Sequence, residues 1–407
     1  MRSVAEFYQD CLSAVGQQPP LDQLLADAAD CVLAEDVIAP FDHPVADVAA
    51  ADGYAARSAD LEGASPSTPV RLMVTAEVTA GDVDPEALVD GGAVRIASGA
   101  PMPIGADCVV GLEFTDLGTR DVAVNTHVAV GELVRTRGED LKAGAVVLQR
   151  GTRLGAPQIA ALAAVGRERV VVHPKPRVII ISVGDELIEP GSPARPGTVF
   201  DANGHALAAA AREAGADVFR VTAVPDDPRR LQDLMEDQLM RADLVLTTGG
   251  ISFGSGNTVR EVLATLGDVR FDRVAAWPGN MLGIGMIGEE SGRPTPVFAL
   301  PGDPVSAQVA FEVYVRPALR KMQGWARLSR SAVKASVNRG WYSPRGRREF
   351  VRVKLTGDPR EGYEATVMGQ PDALWLSAMA ASNALAIVPE DVTDVSVGDQ
   401  LTCMLLD

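Results

Sequence analysis

Two stretches of the chain carry residue types from which a ligand site can be built. Residues 243–260 read Asp-Leu-Val-Leu-Thr-Thr-Gly-Gly-Ile-Ser-Phe-Gly-Ser-Gly-Asn-Thr-Val-Arg, and residues 297–306 read Val-Phe-Ala-Leu-Pro-Gly-Asp-Pro-Val-Ser. Each passes from a short apolar run through small turn formers into a helical start, and open α/β sheets place ligands at such strand-to-helix turns. The candidate binding positions are Gly249, Gly250 and Ser252 in the first turn and Pro301, Gly302, Asp303, Pro304 and Ser306 in the second. Asp303 suits a helix N-cap and Pro304 the first helical position, so the amides after Gly302 are expected to form an anion cradle. A single glycine turn of this kind can equally be a bare connection; two in one sheet argue for a ligand. Carboxylates gather at other expected strand ends, in Val183-Gly184-Asp185-Glu186-Leu187 and Asp226-Asp227-Pro228. Two further loops set polar groups beside glycine, Ala51-Asp52-Gly53-Tyr54 and Ala97-Ser98-Gly99-Ala100, where Asp52 reads as a turn former or a site residue.

These groups need a scaffold, and 407 residues exceed what one core supports, so several domains are expected. A formal charge of −17 argues against nucleic acid and against anionic membrane surfaces as partners, and leaves small anions only where a pocket is locally cationic. Four widely spaced cysteines (Cys11, Cys31, Cys108, Cys403) and four histidines show no ligand spacing, which points to buried free thiols and away from a histidine zinc site. With neither a signal-like start nor a membrane-length apolar run, the chain is expected in the cytoplasm, without membrane insertion.

Apolar spacing predicts helices over residues 4–15 and 21–36, divided by Pro19-Pro20, followed by short β-prone runs from about residue 45. The expected organisation is a split helical lobe (1–44 with 134–172), an inserted β-rich module (45–133), an α/β domain (173–326) and a C-terminal β-barrel (327–407). Within 173–326, strands at 177–183, 217–224, 243–247, 269–275 and 297–300 alternate with helices at 203–214, 228–240, 258–266 and 304–322, which predicts a three-layer domain on a parallel sheet. The basic loop 339–348 reads as a solvated turn or a partner contact.

Six motifs then occur in a recognisable order: Asp-Gly-Tyr-Ala, Arg-Ile-Ala-Ser-Gly-Ala-Pro, Arg-Gly-Glu-Asp-Leu-Lys-Ala-Gly, Val-Gly-Asp-Glu-Leu, Thr-Thr-Gly-Gly-Ile-Ser and Leu-Pro-Gly-Asp-Pro-Val-Ser. In this the chain resembles the MoeA family, the molybdopterin molybdenumtransferases and the E domain of gephyrin, over nearly its whole length. The resemblance implies an elongated four-domain homodimer. It also implies a reaction in which adenylylated molybdopterin loses AMP while molybdate enters the dithiolene with the help of Mg²⁺. Carried over by motif, Asp52, Ser98, Asp140, Glu186 and Asp227 stand at the family's polar or acidic active-site positions, with Glu186 and Asp227 as metal ligands, and Pro301 and Pro304 shape the loop beside the pterin. Carboxylates suit a hard cation that bridges phosphate oxygens.

The resemblance breaks where that chemistry sits. Asn257 stands at the family's carboxylate position, Trp277 and Asn280 fall where it carries lysines, and Asp303 replaces its asparagine. This divergence implies an alternative, a gephyrin-like scaffold whose partner is a linear peptide of the division protein FtsZ or of a membrane receptor.

Overall fold

The computed structural model describes residues 1–252, 257–288 and 294–406. By internal packing it divides into two units, Glu35–Arg169 and the remainder, Met1–Ala34 with Val170–Asp407.

The larger unit is built on a six-stranded sheet in the order Asp217–Arg220, Arg177–Ser182, Leu244–Thr248, Thr295–Leu300, Met281–Ile287, Gly267–Arg273. The first four strands are parallel, and of these Arg177–Ser182, Leu244–Thr248 and Thr295–Leu300 are buried on both faces, while Asp217–Arg220 forms a half-exposed edge. Alternation along each strand divides the core in two. Val178, Ile180, Leu246 and Phe298 meet Leu207, Ala211, Val309 and Tyr314 on one face, where the helix Val4–Ser13 adds Phe7 and Cys11. Ile179, Ile181, Val245 and Val297 meet Leu231, Met235, Val262 and Leu263 on the other. The result is the expected three-layer arrangement.

Two expectations are corrected. The sheet is mixed: Met281–Ile287, which the sequence reading passed over, runs antiparallel to both of its neighbours. The link before it, residues 274–280, holds no crossover helix, so the strand must reverse direction against Gly267–Arg273. Residues 21–36 are not a helix but two short strands, Leu21–Leu24 and Val32–Leu33, flanking Arg169–His173 in one sheet. Asp30 turns the chain between them at φ +69°, which breaks any helix there. Leu21 and Leu24 are exposed.

Five strands of residues 332–405 close into a barrel through the pairing of Arg348–Asp358 with Ala384–Val388. Val337, Val351, Val353 and Leu401 fill it. The two-residue strand Ala276–Trp277 leaves the α/β layers and pairs in parallel with Arg348-Glu349, fastening barrel to sheet.

The smaller unit holds a five-stranded sheet in the order Cys108–Gly111, Gly53–Ala56, Gly92–Ile96, Val70–Val78, Asp121–Val124, and the helix Ala156–Ala164. All four cysteines are buried free thiols. No helix among the described residues is long and apolar enough to cross a membrane.

Candidate functional site

The parallel strands of the larger unit deliver their carboxyl ends to one place. Leu244–Thr248 is wholly buried and ends at Gly249 and Gly250, with φ +85° and +62°. A Cβ on Gly249 would lie 2.3 Å from the Val183 carbonyl oxygen, and one on Gly250 2.7 Å from Val259, so both positions require glycine for space as well as for backbone angle. Thr295–Leu300 ends at Pro301-Gly302, and the two turns approach until a Cβ on Gly302 would be 3.5 Å from the Gly249 Cα.

A buried side-chain staple fixes this approach. Asn203 Nδ2 donates to Thr248 Oγ1 at 2.8 Å and to the Gly302 carbonyl at 2.7 Å, while Thr248 Oγ1 donates to the Pro301 carbonyl at 2.8 Å. Each bond satisfies a backbone or hydroxyl group that would otherwise be costly to bury.

Between these turns and the segment 273–281 lies a cavity of about 700 Å³. Of the residues expected at the site, Glu186, Gly249, Gly250, Ser252, Pro301, Gly302 and Ser306 line it. Glu186 folds its carboxylate over Gly184, where a Cβ would come within 2.7 Å of its oxygens. Asp227 Oδ1 is engaged elsewhere, accepting the amides of Arg229 and Arg230 at 2.9 and 3.2 Å as the cap of the helix Pro228–Leu239. Its neighbour Asp226 lines the cavity instead, and the Asp226 Oδ1 is buried with no partner among the described residues. The sequence carries a signal for this, because proline at the first helical position makes Asp227 the cap and leaves Asp226 to turn inward.

Asp303 Oδ1 likewise accepts the Ser306 amide at 2.8 Å. That carboxylate occupies an amide of the expected anion cradle and brings negative charge to the helix start. Asn257 is the N-cap residue of Thr258–Leu266 but makes no side-chain cap bond. Phe253 to Gly256 of the first motif lie outside the described residues. Trp277 and Asn280, where lysines were expected, do line the cavity, and so does Arg273, a cation that the sequence reading missed. No local pattern singles it out, since it stands within the expected strand 269–275.

In the smaller unit the Ser98 amide donates to Asp52 Oδ1 at 2.7 Å, and Ser98 Oγ donates to the Ala50 carbonyl at 3.3 Å. Asp140 stands on another loop, its Oδ2 4.0 Å from His43 Nε2.

The paired glycine turns, the Pro-Gly-Asp-Pro helix start and the closed barrel follow one another as they do in known proteins. Residues 2–166 match the model of the MoeA N-terminal region (domain I and II), 179–321 that of a probable molybdopterin binding domain, and 334–406 that of the MoeA C-terminal region (domain IV). The chain belongs to the MoeA family. Molybdopterin molybdenumtransferase 2 of Mycobacterium tuberculosis is 38% identical over 407 residues, covering 98% of both chains. Molybdopterin molybdenumtransferase 1 of the same organism is 38% identical over 419 residues, covering 98% of this chain and 97% of its own. A solved MoeA protein from Pyrococcus horikoshii superposes with a TM-score of 0.79 at 30% identity, covering 100% of this chain and 99% of the other.

Against the MoeA reaction the cavity offers two carboxylates, Glu186 and Asp226, and no group of three or more His, Cys, Asp or Glu is clustered for a metal among the described residues. That donor set fits Mg²⁺, which takes one or two carboxylates and completes its shell with phosphate oxygens and water. The orphaned Asp226 oxygen is an acceptor such a cation would satisfy.

Proposed function

We propose that the chain is a molybdopterin molybdenumtransferase, inserting molybdate into adenylylated molybdopterin with release of AMP. The observation that carries this reading is the meeting of the Glu186, Gly249-Gly250 and Pro301-Gly302 motifs around one cavity at the ends of parallel strands. In this reading the paired glycines let backbone approach the phosphates, and Ser306 and Arg273 supply a hydroxyl and a positive charge. Glu186 and Asp226 would hold Mg²⁺, whose positive charge would offset that of the phosphate oxygens. The working unit is a homodimer, for which light scattering should return twice the mass of the chain.

Single-turnover release of AMP from adenylylated molybdopterin tests the reading. The wild type should release AMP in a manner dependent on Mg²⁺ and molybdate. Glu186→Ala should slow release by roughly 10² to 10³, the usual cost of one preorganised charged contact. Failure of the wild type to release AMP overturns the assignment.

A second reading has its own observation. An apolar groove of about 340 Å³ runs between the helix Val4–Ser13 and the barrel, lined by Val4, Tyr8, Val313, Phe350, Ile387 and Met404. Such a groove suits apolar anchors of a linear peptide, which supports a gephyrin-like scaffold that recognises FtsZ or a membrane receptor. Saturable binding of an FtsZ C-terminal peptide, weakened by Tyr8→Ala, would favour this reading; absence of binding would remove it.

A further inference from the structure

The chain is acidic overall, yet from Val313 to Arg348 it carries no aspartate or glutamate. Within that stretch Arg316 and Arg320 stand one turn apart on the helix Arg316–Met322, and Arg327 and Arg330 follow on the link to the first barrel strand, Ala332–Val337. Where the helix end, the link and the last strand meet, a cavity of about 250 Å³ opens, lined by Arg320, Trp325, Arg327, Arg330, Ser331 and Leu405 among others. This is the locally cationic pocket that a small anion requires in a chain of formal charge −17.

Two carboxylates answer the four guanidinium groups, and both are taken. Glu312 accepts from Arg330 Nε and Nη2 at 2.6 and 3.1 Å, and Glu213 Oε1 accepts from Arg330 Nη2 at 2.8 Å and from Arg316 Nη2 at 3.0 Å. Arg320 is left over. It forms no ion pair among the described residues, its Nε is buried without a hydrogen-bond partner there, and its Nη1 reaches only the Arg327 carbonyl, at 3.5 Å. Its guanidinium lies over the Trp325 ring, 4.6 Å from the centroid, a contact that supports the cation and leaves its in-plane donors unused. Burial first, and then the neighbouring Arg316 and Arg330 charges, push the Arg320 guanidinium down to about 10. A half-buried fork of donors with no acceptor is the geometry that oxyanions complete.

We propose that this cavity binds a small tetrahedral oxyanion, held by the Arg320 fork with Arg327 and Ser331 beside it. Sulfate, phosphate and molybdate share that shape. The site is separate from the cavity at the glycine turns: the two have no lining residue in common, and the helical run that begins at Pro304 beside the one ends at Met322 beside the other. A bound anion joins groups from the last helix, the link and the barrel edge, so it fastens the sheet layers to the barrel. The inference goes beyond the transferase reading and does not depend on it.

The test is calorimetric titration of sulfate and of inorganic phosphate into the full chain at low ionic strength. Both should bind saturably and raise the melting temperature once their concentration passes Kd. Arg320→Met keeps an aliphatic stem over Trp325 but removes the fork, and should weaken this binding at least about tenfold. The surface variant Arg327→Gln should weaken it several-fold with circular dichroism unchanged, whereas Arg273→Met, in the other cavity, should leave it as in wild type. Glycerol phosphate separates two sources of the same chemistry: affinity equal to that of inorganic phosphate assigns the seat to the phosphoryl head of a larger metabolite, and weaker affinity assigns it to a free ion, the site standing in either case. Absence of saturable binding, binding that ignores both Arg320→Met and Arg327→Gln, or binding lost in Arg273→Met but kept in Arg320→Met overturns the inference. None of these measurements reads AMP release, so the transferase reading stands or falls separately.

Discussion

The Asp52 carboxylate receives the Ser98 amide at 2.7 Å, joining two loops that lie 46 residues apart in sequence. Asparagine offers an acceptor of the same shape without the charge, so Asp52→Asn separates a loop tie from a chemical role. If Asp52 serves the proposed reaction, Asp52→Asn should melt near the wild-type temperature and lose roughly 10² in single-turnover AMP release. Wild-type turnover in Asp52→Asn would reduce the residue to a turn former. Asp52→Ala should in addition lower stability by about 1 kcal/mol, because it removes the acceptor itself.

Asn203 gives a test of the staple that holds the cavity's two turns together. Its amide spans Thr248 and the Gly302 carbonyl and is nearly inaccessible to water. Asn203→Ala leaves that carbonyl and hydroxyl short of a donor, at a cost of about 1–3 kcal/mol in urea denaturation. Because Pro301-Gly302 would then be held by fewer bonds, the KM for adenylylated molybdopterin should rise as well. Unchanged stability together with unchanged KM would show that the turns hold each other without it.

Asp42 predicts the sign of a pH effect in the smaller unit. The Ala143 amide at 2.8 Å and then the Arg137 guanidinium at 2.6 Å hold its carboxyl below the ordinary value of 3.8. A carboxyl with a depressed folded pKa stabilises the protein above its unfolded pKa, and that contribution disappears as pH falls through the folded value. Asp42→Asn should therefore melt below wild type at neutral pH, and the difference should shrink as pH falls below the ordinary carboxylate range. A gap that persists in acid would assign the effect to the shape of the loop instead.

The α/β core was legible because its signals are local. The run Val178 to Ile181 is β-branched throughout, and Asp227-Pro228 and Asp303-Pro304 announce helix starts within two residues. Met281–Ile287 was not legible, since Gly283 and Gly285 depress strand propensity. The fold requires both: a Cβ on Gly283 would meet Phe271 at 2.7 Å, and one on Gly285 the Asp268 carbonyl at 2.0 Å. Residues 21–36 failed for the complementary reason, as their helical spacing yielded to a distant strand ending at His173. At the site, motif order delivered Glu186 and the glycine turns, whereas Arg273 and Asn203 reach them from elements distant in sequence, which no local pattern encodes.

Asp303 brings these strands together, because its carboxylate caps the helix that begins at Pro304. Asparagine caps about as well as aspartate, so Asp303→Asn should keep the helix start. It also removes one of three carboxylates, with Glu349 and Asp372, whose charge favours the buried Arg352 guanidinium, and stability should fall by under about 1 kcal/mol. The larger effect belongs to anions. Removing a negative charge beside the cavity should relieve on the order of 1 kcal/mol of repulsion, so molybdate and AMP should bind roughly fivefold more tightly, and more so at low salt. Equilibrium titration of both anions against wild type and Asp303→Asn decides the matter. If their affinities are unchanged, the Asp303 charge is already neutralised by Arg352, and the anion seat lies on the Gly249-Gly250 turn instead.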